Sequence, residues 1–171
     1  MTWWQYTSSI VVPLFIALLS VWLAYRLSTR REYQKAIRIV KHEIAHNIRI
    51  CDLICKEIDD DISSRQVRIV DFSMLRGIVW DACKGNIAFK NPQVAEEVEQ
   101  TYFGVAEVNR QLDVIKKVKW EVVSQVPPSR QSKLNLKEKD IKTLKLVKEF
   151  ILEKLLPKLN SSKELLDKIK V

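Results

Sequence analysis

Apolar residues run almost without interruption from Ile10 to Leu27, and beyond Arg31 they thin to a periodic set: Ile37, Val40, Ile44, Ile48, Cys51, Ile54 and Ile58. Spacings of three and four put that set on one face of a helix. About 18 residues at about 1.5 Å rise each just cross the hydrocarbon core of a bilayer. The pattern therefore predicts a transmembrane helix over 10–27 that continues as a long helix over about 28–60. Pro13 falls in the first turn, where few amide partners are lost. Asp59, Asp60 and Asp61 oppose the negative end of the helix dipole and are expected to mark the stop.

Residues 63–72 alternate only loosely and read as a loop. Asp71 or Ser73 is placed to cap a short helix over about 74–84, with Trp80 as core anchor and Gly85 as the terminating residue. Asn91-Pro92 opens a long helix over about 92–125, whose seam is Val94, Val98, Tyr102, Val105, Asn109, Leu112 and Ile115. Gly104 within it leaves room for the close approach of another helix. Val126-Pro127-Pro128 ends that helix. Asn135 to Glu138 is a capping box for a helix over about 136–156, interrupted by Pro157. Ser161 to Glu164 is a second box, for a short helix over about 162–170. The fold class predicted is all-α: a tail over 1–9, the membrane helix, and an antiparallel helical bundle over 28–171.

Composition supports helix over strand, since the chain holds only 3 glycines among its 171 residues. So few glycines also argue against a glycine-rich phosphate loop. The aromatic residues Trp3 and Trp4, then Trp22 and Tyr25, bracket the apolar run as interfacial residues do. Arg26, Arg30 and Arg31 follow it, and by the positive-inside rule they predict an outside amino terminus and a cytoplasmic bundle at the cell inner membrane. A cleaved signal peptide fits less well, because no Lys or Arg precedes the run and no small-x-small site precedes Tyr25.

The net charge is +8. Its local concentration beside the apolar run points to anionic headgroups as partner, and no nucleic-acid-reading motif is present. Cys51, Cys55 and Cys83 form an odd set without CxxC, which suggests neither a disulfide framework nor a zinc ribbon.

His42-Glu43-Ile44-Ala45-His46 matches H-E-x-x-H, in which two histidines one turn apart hold zinc and the glutamate acts as general base. That reading makes His42 and His46 metal ligands, Glu43 the base and the protein a membrane-bound zinc hydrolase. Against it, these are the only two histidines in the chain, so a third ligand has no signature. Both also fall opposite the apolar face centred on Ile44. The favoured expectation is accordingly a non-catalytic interaction or scaffold protein without cofactor, taking a protein partner or associating with itself.

Glu43-Ile44 with Asn47, then Trp80, then Tyr102 with Val105 and Asn109 make a pattern E-[IL]-x-x-N, W, Y-x-x-[IV]-x-x-x-N. Over roughly residues 8–120 this resembles uncharacterised prokaryotic proteins with an N-terminal membrane anchor and a small helical domain. The resemblance implies no known activity, and it makes Glu43 and Asn47 the recurrent residues and the histidines incidental. Asn47 and Asn109 lie on or beside apolar seams, where a buried amide must find a partner. They are expected near one another, fixing helix register.

Overall fold

The computed structural model describes residues 10–65, 74–124 and 136–169, with backbone alone for 118–124. Trp3, Trp4, Asp71, Ser73, Asn135 and the Val126-Pro127-Pro128 stop lie outside the described residues, as does most of the expected loop. Everything regular among the described residues is helical: α1 (Val12–Ser64), α2 (Ile78–Lys90), α3 (Pro92–Ser124), α4 (Glu138–Phe150) and α5 (Leu156–Lys168).

Helix α1 has two halves of different character. Its apolar stretch is long and hydrophobic enough to cross a membrane, and none of that window is buried against the protein. Burial begins at Tyr33 and continues through Ile37, Val40, Ile44, Cys51, Ile54 and Ile58, which pack with α2, α4 and α5. No helix break separates the halves.

The end of α1 differs from expectation. It runs through Asp59–Asp61 and stops at Arg65, whose φ of 50° is left-handed. The charge that should have ended it is met from outside: Asp59 takes both carboxylate contacts from Lys148 of α4, at 2.6 and 2.7 Å. Asp61 is buried on the core side, one turn beyond Ile58.

Gly85 does not terminate α2. Trp80, Cys83 and Ile87 keep one buried stripe going past it, and the turn falls at Asn91 instead. The Asn91 N–H donates to Ile87 O at 2.8 Å, and its carbonyl accepts from Ala95 N at 3.0 Å, so one residue ends α2 and begins α3.

Pro157 is likewise no break. Five residues, Ile151–Leu155, widen into a π-turn, and Leu156 N–H reaches back to Ile151 O. A widened turn moves the preceding carbonyls clear of the proline ring, which in a regular α-helix would clash with them. The proline then sits in the first turn of α5, where its missing N–H has no partner to lose. Ser161 to Glu164 accordingly lies inside a helix; Ser162 is buried with its Oγ 2.8 Å from Thr101 Oγ of α3.

These helices share one core, in which Ile37, Ile44, Ile58, Leu112, Leu144, Ile151, Leu155, Leu159 and Leu166 are fully enclosed. At Gly104 a Cβ would lie 3.1 Å from Leu155 Cδ1, so α3 and the π-turn approach closely there. Lys148 meets Asp59, while Asp167 meets Lys41 at 3.1 Å, which fixes how α4 and α5 lie along α1.

Candidate functional site

The polar residues on the buried seams of α1 and α3 converge on one short piece of chain, the non-helical residues 74–77 and the first turn of α2. Such a piece has backbone N–H and C=O groups with no helical partners, and burial obliges it to find others. Asn47 supplies one pair: its Nδ2 donates to Arg76 O at 2.7 Å, and its Oδ1 accepts from Arg76 N–H at 2.8 Å. Asn109 supplies the next: its Nδ2 donates to Leu75 O at 2.8 Å, and its Oδ1 accepts from Leu75 N–H at 2.9 Å.

Asparagine suits this because its carboxamide carries a donor and an acceptor in one plane, matching the peptide group it faces. An aspartate would lose the donor; a leucine would lose both. The two amides grip adjacent residues of the same non-helical segment, one from each helix, rather than each other.

Glu43 works one turn away on α1. Its Oε1 accepts from Val79 N–H at 3.3 Å, and its Oε2 accepts from Tyr102 O–H at 2.7 Å. Val79 is the second residue of α2, whose own N-cap, Gly77, has no side chain to offer. Glu43 therefore caps α2 from a neighbouring helix, placing a carboxylate at the positive end of its dipole. Tyr102 in turn stacks on Trp80, with ring centroids 5.5 Å apart and planes 9° from parallel. Five residues from three helices thus close around the entry to α2.

The electrostatics follow from burial. The Tyr102 phenol is pushed well above the usual tyrosine range, first by desolvation and then by its bond to Glu43. The Cys51 thiol is pushed up to about 12, chiefly by burial, with smaller effects from Cys55 and Asp52. Cys55 and Cys83 are raised for the same first reason, and all three cysteines are free and buried. Protonated thiols of this kind are poor nucleophiles and poor metal ligands at neutral pH.

The histidines lie elsewhere. His42 is exposed and His46 half-buried, while the Glu43 carboxylate is turned into the core with each oxygen bonded to protein. In H-E-x-x-H chemistry that carboxylate must reach the zinc-bound water. Among the described residues, no group of three His, Cys, Asp or Glu side chains is placed to hold a metal ion. Of the interfacial set, Trp22, Tyr25, Arg26, Arg30 and Arg31 are all exposed along α1, with the Arg26 guanidinium 5.2 Å from the Trp22 ring centroid.

Two further polar contacts tie the helices together. One is the 2.6 Å bond from Asn91 Nδ2 to Tyr33 Oη, which ties the α2–α3 corner to α1. The other is the buried Thr101–Ser162 pair. Thr101 stands next to Tyr102 on the α3 seam, and that adjacency was the available signal. No protein-family model, curated protein or solved structure matches this chain.

Outside that cluster, His46 gives the bundle a pH signature. Its pKa is lowered by partial burial first, then by Arg76 and Arg49, against a smaller opposing effect of Glu43. A histidine depressed in the folded state binds fewer protons there than when unfolded, so its contribution is present above the ordinary value near 6.5 and is lost as pH falls. The expected result is a urea midpoint that drops between pH 7.5 and pH 5.5 in the detergent-solubilised protein, with a smaller drop in His46→Gln. Equal drops in the two proteins would remove His46 as the cause.

Proposed function

We propose that this chain is a single-pass inner-membrane protein whose cytoplasmic antiparallel bundle serves as a non-catalytic interaction scaffold for a protein partner. One observation carries the reading. The unburied apolar stretch of α1 runs without interruption into the same helix that supplies Glu43 and Asn47, and the polar atoms of those two residues are used in holding residues 76, 79 and 102. A core whose polar groups bond one another is built to keep a shape, and α1 joins that shape rigidly to the apolar segment. Arg26, Arg30 and Arg31 support an orientation with the bundle inside, against anionic headgroups.

Protease treatment of sealed vesicles of both orientations, combined with zinc analysis of the purified protein, tests this reading. The expected result is digestion of the lysine-rich helices only where the cytoplasmic face is outward, with no stoichiometric zinc. Digestion from the opposite face alone would overturn the orientation. Stoichiometric zinc that disappears in His46→Ala would overturn the non-catalytic reading in favour of the zinc hydrolase.

A further inference from the structure

Resting on the membrane reading above, we propose that the corner between α2 and α3 is a second membrane contact, at which Phe89 and Lys90 enter the headgroup layer of an anionic bilayer. The argument begins with height. Tyr33 lies six residues beyond Leu27, the end of the apolar run, which is about 9 Å along a helix axis. The headgroup layer of one leaflet is about 5–8 Å thick. Tyr33 therefore lies about 1–4 Å past that layer, and what is fastened to it is within a side chain's reach of the headgroups.

The corner is fastened to Tyr33 twice. Asn91 Nδ2 donates to its hydroxyl at 2.6 Å, and Lys90 Nζ lies 4.8 Å from its ring centroid. Tyr33 itself is buried, so this attachment belongs to the folded bundle. Phe89 stands next to it and is 78 % exposed, on the side of α2 away from Trp80, Cys83 and Ile87. An aromatic ring left in water at the level of a headgroup layer has an obvious apolar neighbour.

Charge agrees with that occupant. Arg30, Arg31 and Lys35 surround the same level of α1 against the single acid Glu32, and Lys90 adds a cation from the corner; Glu96 and Glu97 come only a turn further into α3. An anionic surface rather than a second protein is thus what the basic collar and the exposed ring together fit. With α1 crossing the bilayer and the corner resting on it, the bundle is held at two points, which fixes its tilt relative to the membrane.

The test uses the full chain reconstituted into vesicles of phosphatidylcholine and phosphatidylglycerol, with an environment-sensitive fluorophore on one introduced cysteine and nitroxide-labelled lipid as quencher. The native thiols are buried, and the unaltered chain serves as the labelling blank. Probes are placed by Phe89→Cys at the corner, Lys139→Cys at the far end of the bundle and Trp22→Cys in the apolar run. The Phe89 probe is expected to be quenched at least threefold more than the Lys139 probe, and less when phosphatidylglycerol is omitted. Quenching at Trp22 with none above the Lys139 level at Phe89 would overturn the corner contact and leave the anchor standing. Absence of quenching at Trp22 would overturn the anchor and the corner contact with it.

Discussion

Replacing Asn47 by leucine is expected to destabilise the bundle by about 2–4 kcal/mol, because it leaves both backbone groups of Arg76 without their partner. Each backbone group left without its partner costs about 1–2 kcal/mol, the low end of the range for a buried unsatisfied group. The Arg76 side chain is exposed, so water reaches part of this segment and the lower half of the range is expected. Asn109→Leu acts in the same way on Leu75, which is buried.

The informative quantity is the coupling between them. Both amides hold one continuous segment, so once either is removed the other loses the geometry that made it useful. The double variant should therefore cost less than the sum of the single ones, by about 1 kcal/mol or more. Urea unfolding in detergent, followed by far-ultraviolet circular dichroism, measures all four corners of the cycle. Additive losses would mean that the two amides act separately, and that the segment is held mainly by Glu43 and its packing.

Much of this arrangement was visible in the sequence as residue choice, and little of it as partnership. The seam from Ile37 to Ile58 announced the buried face of α1 through its spacing. Asn47 and Asn109 announced themselves as polar residues on apolar seams. What the amides hold was not legible, because a stretch of backbone at 75–76 carries no signature of being gripped.

The errors at helix ends have the same origin. Asp59 reads as a stop until Lys148, 89 positions later, arrives to neutralise it. Pro157 reads as a break because a π-turn depends on how Ile151 and Leu155 fit against α3, including the space that Gly104 leaves. Gly85 reads as a cap until Ile87 is seen to be fully buried beyond it. In each case a local preference, of about 1 kcal/mol for the charge and the glycine and about 3 kcal/mol for the proline, was outweighed by tertiary contacts that no window of sequence contains.

The H-E-x-x-H match shows the reverse situation, a motif whose letters are present while the glutamate does other work. Glu43 is common to the zinc pattern and to the E-[IL]-x-x-N pattern. Both of its oxygens are occupied in the core, accepting from Val79 N–H and from Tyr102 O–H. The carboxylate explains why α2 can begin at a glycine: the cap comes from α1. It also explains why Tyr102 follows at the height it does on α3, since its hydroxyl must reach the remaining oxygen.

Trp80 should show the second large effect, and its two substitutions should separate. Trp80→Ala removes a ring that is 3 % exposed and stacked on Tyr102, and a loss of about 3–5 kcal/mol is expected for emptying such a site. Trp80→Phe keeps an aromatic face against Tyr102 and deletes the indole N–H, which is buried without a hydrogen-bond partner. Removing an unsatisfied donor recovers about 1–3 kcal/mol of desolvation cost, which offsets most of the volume lost. The phenylalanine variant is therefore expected within about 1.5 kcal/mol of the unaltered protein, and thermal unfolding in detergent measures both. If phenylalanine proves as costly as alanine, the indole nitrogen is contributing a bond, and the stack on Tyr102 does not by itself hold Glu43 in its capping position.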